Sequence, residues 1–242
     1  MFSEAKDCRG SQGCQYLFVE HLFGGLSMFL FKEGSRNQFN NQRKANNFLE
    51  NYKQIFEMSL PHQDAIAKVI KQIDPKELEK IKMQLMSNLF EQKWLRSERL
   101  FDKYYYVAVD ATGIQSFTEQ HCEHCLTKKT KNTTTYFHYV LEAKLVTHSG
   151  FALPLASEWI ENPTGEFDKQ DCERKAFVRL AEKIKKYFPR LPICLLADGL
   201  YPNETVFDIC EKNKWKFIIS LQDKSLKTIQ EELYFPRIEK LC

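Results

Sequence analysis

Glycine is scarce in this chain, and its distribution excludes the common nucleotide-binding loops. The nine glycines among 242 residues are scattered, and none forms a G-x-G-x-x-G pattern or a phosphate-binding P-loop. Long apolar runs are lacking as well. The apolar segment Leu17–Phe31 contains Glu20 and His21 and is shorter than the roughly 18–20 residues of a membrane span. We therefore expect no membrane partner.

The chain also lacks a strong charge of one sign and a disulfide framework. Its net charge of +3 is too small to indicate nucleic-acid binding alone. Eight cysteines are spread along a long chain, and Cys194 and Cys210 fall inside apolar strand or helix patterns. No small-residue cleavage site follows the apolar segment near the N-terminus. These features predict a cytoplasmic protein, and a hydrophobic content of 43% is enough for a packed core.

Residues 1–100 are expected to form an all-helical N-terminal region. Apolar residues recur at helical spacing in Leu17–Phe31, in Asn46–Met58 and after Pro61. Asp74, followed by a proline and a capping-box glutamate, predicts the start of another helix. The polar, Asn-rich stretch 34–44 is expected to be a linker or an exposed loop.

Residues 101–242 are expected to form a second domain, in which the pattern changes to strands. Three strands, the first two separated by a polar excursion over 111–133, precede alternating helices and strands. The order β-β-β-α-β-α-β predicts an α/β fold with a ribonuclease-H-like mixed sheet, where the first and fourth strands are neighbours. The predicted strands are Tyr104–Asp110, Tyr136–Thr147, Phe151–Glu158, Ile193–Asp198 and Trp215–Leu221, with helices at Lys169–Phe188, Pro202–Lys212 and Ser225–Leu233.

The first and fourth strands are apolar runs that each end in an aspartate, Asp110 and Asp198. Continuous apolar runs are typical of buried parallel strands, and open α/β sheets place their chemistry at the carboxyl ends of such strands. Each aspartate alone is ordinary turn chemistry. Side by side they would repel each other unless a cation held them, and Mg²⁺ (or Mn²⁺) suits carboxylate and phosphate oxygens. The pair therefore predicts a catalytic metal site.

A second candidate metal site follows the first strand. The segment HCEHC places Cys122 and Cys125 at C-x₂-C spacing beside histidines, and zinc binds cysteine and histidine tetrahedrally. The candidate zinc ligands are His121, Cys122, Cys125 and His138 of the second strand. No second C-x₂-C pair exists to complete a typical site, so a polar loop whose thiols pack against the sheet is the alternative.

Basic residues gather at two places. Lys128, Lys129 and Lys131 follow the cysteine pair, and further lysines and arginines lie on the helix predicted over 169–188. Such residues neutralise DNA phosphates. The helix is better explained as a solvated face, whereas the lysines of the loop are expected near Asp110 and are the candidate DNA-binding residues.

Several motifs occur together in this chain. They are SLPHQDAIAKVI (Ser59–Ile70), VAVDATG (Val107–Gly113), HCEHCL (His121–Leu126), YFHYVLEAKLV (Tyr136–Val146), KQDCERKA (Lys169–Ala176), LLADGLYP (Leu195–Pro202) and WKFIISLQDKSL (Trp215–Leu226). Together they resemble DDE-type transposases of bacterial insertion sequences, which have a ribonuclease-H-like catalytic core. The resemblance covers roughly residues 59–235.

The resemblance implies metal-dependent cleavage and strand transfer of double-stranded DNA at transposon ends, in a nucleoid-associated protein. Asp110 and Asp198 would be the first two metal-binding acids. The helical region before residue 100 would contact DNA, and a homodimer or a complex with full-length transposase is the implied assembly.

The resemblance is incomplete at the third acid. The family carries it in a motif like R-W-x-I-E-N after the fifth strand, and no such motif occurs before Cys242. The similar WIEN at Trp159–Asn162 precedes the fourth strand, which is the wrong topological place. Glu231 and Glu232 follow Asp198 by 33 and 34 positions, near the spacing of other DDE enzymes, or lie on an exposed helix face.

We therefore expect a C-terminally truncated transposase with weak or no activity. A non-catalytic fragment that binds transposon ends or inhibits the full-length enzyme is one alternative. An unrelated α/β protein that binds a phosphorylated small molecule is another.

Overall fold

The computed structural model describes residues 6–10, 14–165 and 169–221. The chain divides into two compact units, Met1–Leu85 and Met86–Cys242. The division falls inside a helix rather than at the expected boundary near residue 100. Within the described residues, no helix is both long enough and apolar enough to cross a membrane.

The first unit is helical, as predicted. Two apolar clusters form its core, one around Phe18 and Leu22 and the other around Phe39 and Tyr52. The Asp74 carboxylate accepts the Lys76 N–H at 2.9 Å, as expected of a helix cap. The helices are α1 (Phe18–Leu30), α2 (Arg36–Gln42), α3 (Phe48–Phe56), α4 (Gln63–Ile70) and α5 (Pro75–Glu91), the last of which continues into the second unit.

The prediction of a loop over residues 34–44 is wrong, because α2 lies there. Ser35 caps it by accepting the Gln38 N–H at 3.2 Å. Phe39 is fully buried and packs edge-to-face against Phe48. One buried aromatic therefore anchors a helix whose other residues are polar, a signal too weak for periodicity to detect.

The second unit is an α/β fold with a six-stranded mixed sheet. Its elements are β1 (Tyr105–Phe117), β2 (Leu126–Lys129), β3 (Thr134–Val146), β4 (Ala152–Ile160), α6 (Glu173–Tyr187), β5 (Ile193–Ala197), α7 (Glu204–Asn213) and β6 (Lys216–Ile219). In space the strands run β6-β5-β1-β3, and β2 and β4 pair with successive stretches of β3 on the side away from β1. The β1–β5 and β5–β6 pairs are parallel, and the others are antiparallel.

The first strand is longer than predicted. Asp110 does not end β1, which continues to Phe117 paired with β3. Residues 111–133 are therefore not a simple excursion, because they contain the end of β1 and all of β2. Residues 112–116 are exposed, so this part of the hairpin lacks the apolar signature of a buried strand. We call the β1–β3 hairpin beyond Asp110, with β2 and the connecting loop, the arm.

Helix α6 covers β3 and β4 with one stripe of apolar residues. Burial of each large side chain of this stripe stabilises the fold by about 1.5–3 kcal/mol. The helix predicted at Ser225–Leu233 lies outside the described residues. The buried residues of α6 are Ala176, Phe177, Leu180, Ala181 and Ile184.

Candidate functional site

The sheet places Asp110 and Asp198 at equivalent positions on neighbouring strands. Strands β1 and β5 pair in parallel from Tyr105↔Ile193 to Ala108↔Leu196, a constant offset of 193 − 105 = 88. The two aspartates have the same offset, 198 − 110 = 88. Each therefore lies two residues beyond the last pair of the ladder, where β5 ends and β1 continues into the arm.

Both aspartates are exposed to solvent. Asp198 also has the turn role that its sequence context suggests, because its Oδ1 accepts the Leu200 N–H at 2.9 Å. That bond fixes the carboxylate at the start of the β5–α7 loop and leaves its other oxygen available to a ligand.

Glu173, which the sequence analysis did not select, lies near both aspartates. It occupies the first turn of α6 and is half-buried. Burial raises the pKa of its carboxyl above the usual value, and the negative charges of Asp198 and Asp110 raise it further. The structure therefore brings a third carboxylate to the edge that carries the predicted pair.

Tyr201 holds Glu173 in place. Its hydroxyl donates to Glu173 Oε2 at 3.3 Å, and its ring packs edge-to-face on Phe177 of α6. Tyr201 is only 1% exposed. Burial raises the pKa of the Tyr201 phenol, and the charges of Glu173, Asp198 and Asp110 add to that effect. The phenol consequently stays protonated and remains a hydrogen-bond donor to the carboxylate.

The three carboxylates are near one another but do not form a closed ligand set. In the part of the chain that the structure describes, their oxygens do not all lie within 4.8 Å of one another. A fourth acid, Glu142, is the cross-strand partner of Asp110, but Lys144 pairs with it at 2.7 Å. The site is thus an open group of carboxylates at one edge of the sheet. We call it the acidic edge and define it by Asp110, Asp198 and Glu173.

Two aromatic side chains, Phe137 and Tyr139, lie beside the acidic edge. A cleft of about 420 Å³ adjoins Glu173 and is lined by Phe137, Tyr139 and Arg174. The Tyr139 ring lies over Gly113, where an added Cβ would come within 2.9 Å of the ring. The glycine of the VAVDATG motif therefore permits close approach of an aromatic side chain to β1.

The candidate zinc ligands are brought together in part. Cys122 Sγ lies 3.8 Å from Cys125 Sγ and 3.5 Å from His138 Nε2, and Cys125 Sγ lies 3.4 Å from the same nitrogen. His121 is not a member of this group. Its ring stacks on Phe117 with centroids 4.6 Å apart. We call Cys122, Cys125 and His138 the thiol–imidazole cluster.

The candidate DNA-binding lysines lie further from Asp110 than expected. Lys128 and Lys129 are exposed on β2, and Lys131 follows in the turn to β3. Lys128 pairs with Thr135 and Asp110 with Glu142, so the partners are 142 − 135 = 7 residues apart in β3, or about 24 Å. The long β1–β3 hairpin is the reason, since it carries β2 outward along the arm.

Sequence reasoning missed Glu173 because its prediction of a third acid looked only downstream of Asp198. The signal was present in KQDCERKA, where a glutamate opens the helix that follows the antiparallel strands. Glu231 and Glu232 lie outside the described residues. The WIEN segment contributes Asn162, a buried side chain, rather than an acid at the acidic edge.

Neither a protein-family model nor a curated protein sequence matches this chain. Function is therefore inferred from the geometry and chemistry of the site.

Proposed function

We propose that the second unit catalyses metal-dependent phosphoryl transfer on DNA, as a DDE-type transposase with a ribonuclease-H-like core. The observation that carries the proposal is the equivalent position of Asp110 and Asp198 on adjacent parallel strands. Glu173 supports it as a third carboxylate near both. The strand arrangement supports it too, with four antiparallel strands followed by two parallel ones entered through helices.

The residues of the acidic edge fit Mg²⁺ or Mn²⁺. All three side chains offer hard oxygen donors, the ligands that these cations prefer. Among the described residues, no lysine or arginine forms an ion pair with Asp110, Asp198 or Glu173. Burial raises the pKa of the Glu173 carboxyl, the charges of Asp198 and Asp110 raise it further, and a bound cation would lower it.

Each side chain then has a distinct part. Asp110 and Asp198 would hold the metal between the two strands, and Glu173 would complete the ligand set from α6. Bound divalent metal supplies a nucleophile of lowered pKa and neutralises charge on the phosphodiester. Tyr201 keeps Glu173 oriented through its hydroxyl, and the Leu200 N–H does the same for Asp198. Carboxylate oxygens that do not all lie within 4.8 Å of one another also suit two ions, which lie about 3.5–4 Å apart in two-metal sites.

The arm offers surface for the DNA itself. Lys128, Lys129 and Lys131 can neutralise backbone phosphates, and phosphate contacts position a duplex without reading its sequence. Tyr139 packs against Phe137 with ring centroids 4.9 Å apart and is partly exposed beside the cleft. Exposed aromatic rings of this kind stack on unpaired bases at a strand end.

Nicking of supercoiled plasmid by the purified full chain tests the proposal. We expect nicks with Mg²⁺ or Mn²⁺, none with a chelator, and none with the Asp110→Asn or Asp198→Asn variants. Glu211→Gln is the matched control, because Glu211 is an exposed acid of α7 outside the acidic edge. Nicking that survives Asp110→Asn would contradict the assignment.

A non-catalytic DNA-binding protein is the second candidate, favoured by the separation of about 24 Å along β3 between the lysines and Asp110. It predicts salt-dependent DNA binding that is unchanged in the aspartate variants, with no cleavage under any metal. Binding of a phosphorylated small molecule without DNA affinity would instead support an unrelated α/β protein.

A further inference from the structure

We propose that the thiol–imidazole cluster is a zinc site that fastens the loop before β2 to strand β3. The inference is independent of the proposed function, because it concerns different residues and a different metal. Cys122 and Cys125 come from the loop, and His138 comes from the middle of β3.

The distances between the three donor atoms match the edges of a tetrahedron of ligands around zinc. With Zn–S bonds of about 2.3 Å and Zn–N bonds of about 2.0–2.1 Å, tetrahedral geometry separates two sulfurs by about 3.8 Å and a sulfur from a nitrogen by about 3.6 Å. The two sulfurs are 3.8 Å apart, and His138 Nε2 lies 3.5 and 3.4 Å from them. One ion can therefore contact all three atoms without moving any side chain appreciably.

The donor set selects zinc over the cations expected at the acidic edge. Two thiolates and an imidazole are soft or borderline ligands, whereas Mg²⁺ takes oxygen. Both cysteines are free thiols, and Cys125 is only 3% exposed. Thiols are weak hydrogen-bond donors and acceptors, so their mutual contacts alone offer little reason for three polar groups to converge.

Asn162 fixes the loop that carries the two cysteines. The Asn162 side chain, which is 2% exposed, donates through Nδ2 to the Cys125 carbonyl at 2.8 Å. Its backbone N–H donates to the His124 carbonyl at 3.1 Å, and His124 Nδ1 donates in turn to the Asn162 carbonyl at 2.9 Å. Asn162 thus makes three hydrogen bonds, two donated and one accepted, that hold the Cys122–Cys125 turn in its ligating conformation without metal.

Among the described residues, no fourth His, Cys, Asp or Glu ligand atom lies within 4.8 Å of all three donor atoms. His121 is held against Phe117, and the Phe117 ring meets His138 edge-on with centroids 6.2 Å apart. Since His121 is already engaged, we assign the fourth position to a water molecule. The cluster lies four residues along β3 from the partner of Asp110 (142 − 138 = 4), about 14 Å, so its role is to stiffen the arm.

Zinc content and cobalt substitution of the full chain test the site. Elemental analysis of protein purified without chelator is expected to give one zinc per chain. Co²⁺ added to stripped protein is expected to give a thiolate-to-cobalt charge-transfer band and the visible bands of a tetrahedral ion. Absence of both zinc and the charge-transfer band would overturn the proposal, and this readout needs no variant.

Variants then identify the ligands. Cys122→Ser, Cys125→Ser and His138→Ala are each expected to weaken zinc binding by roughly a hundredfold or more, and Asn162→Ala by roughly tenfold. Cys14→Ser, an exposed cysteine of the first unit, is the matched control. Unchanged zinc affinity in Cys125→Ser would refute the site, and loss of zinc in His121→Ala would refute the water assignment.

Discussion

The acidic edge and the thiol–imidazole cluster share the β1–β3 hairpin, through Asp110 and His138, but are built in opposite ways. The cluster gathers three soft donors within 3.8 Å of one another around a loop fixed by Asn162. The acidic edge gathers three hard donors that remain further apart, with the two aspartates exposed and Glu173 half-buried. A preassembled site suits a metal that stays, whereas an open one suits metals that arrive with a phosphate substrate and leave with it.

The largest expected effect separates the two sites. Asp110→Asn is expected to lower the rate of Mg²⁺-dependent plasmid nicking by about three powers of ten, or about 4 kcal/mol of transition-state stabilisation. The same variant should retain its zinc, because the cluster shares no ligand with the acidic edge. Parallel nicking assays and elemental analysis measure both. Joint loss of nicking and zinc would show that the two sites are not independent.

Removal of zinc is the reverse test. Chelation is expected to increase amide hydrogen exchange in β2 and the loop before it, because the ion joins that loop to β3. Strand β5, which contains no part of the cluster, should keep its protection. Exchange measured by mass spectrometry with and without chelator gives both readings. Equal exchange in β2 under the two conditions would contradict the fastening role.

The acidic edge should also affect folding stability through pH. Because the folded chain raises the Glu173 pKa, it binds a proton more tightly than the unfolded chain does. The stability from this group is therefore complete below the usual glutamate pKa and decreases as pH rises through the raised one. Glu173→Gln should remove this pH dependence of folding stability and raise the metal-free Tm at neutral pH.

Thermal melts with and without Mg²⁺ complete this test. Mg²⁺ is expected to raise the Tm of the wild type and to have little effect on Glu173→Gln. Glu211→Gln serves as the control for removal of one negative charge. A lower Tm for Glu173→Gln without metal would show that the Glu173 carboxylate is not held against the other two charges.

The lysines of the arm test the separation of binding from cleavage. Substitution of Lys128, Lys129 and Lys131 by glutamine should reduce the salt dependence of DNA binding by about 2–3 in the slope of log K against log salt. Mg²⁺ binding at the acidic edge should not change. Fluorescence anisotropy over a range of salt concentrations measures the slope, and an unchanged slope would exclude these residues from the DNA surface.

The smallest expected effect concerns Gly113. An alanine there would place its Cβ 2.9 Å from the Tyr139 ring, which must shift. The ring is partly exposed and can move, so we expect a loss of about 1 kcal/mol in folding stability. Denaturant melts of Gly113→Ala, Tyr139→Ala and the double variant measure the coupling. An additive double variant would show that the ring does not pack on Gly113.

The sequence predicted the sheet well where burial was decisive. The helix predicted over 169–188 was confirmed as α6 because its apolar residues face β3 and β4, and Asp110 and Asp198 have equivalent positions because two apolar runs form a parallel pair. The predicted loop at 34–44 and the predicted end of β1 were wrong. In both places the element lacks an apolar pattern: α2 is polar apart from Phe39, and residues 112–116 of β1 are all exposed.

The candidate sites show the same limit. Cys122, Cys125 and His138 could be selected because ligand spacing is local and strand pairing brings in the histidine. Glu173 was missed although KQDCERKA contains it, since its role depends on how α6 packs against the sheet and on Tyr201, a residue 28 positions away. His121 was selected by proximity in sequence, but stacking on Phe117 turns its ring elsewhere.

Diffraction from a crystal soaked in Mn²⁺ tests the central claim most directly. We predict anomalous density between the carboxylates of Asp110 and Asp198, with metal–oxygen distances near the ~2.0–2.1 Å of octahedral magnesium sites and Glu173 drawn toward the ion. Density in wild type that disappears in Asp110→Asn would establish the metal site. Ordered carboxylates with no anomalous density between them, at Mn²⁺ concentrations that support nicking, would contradict it.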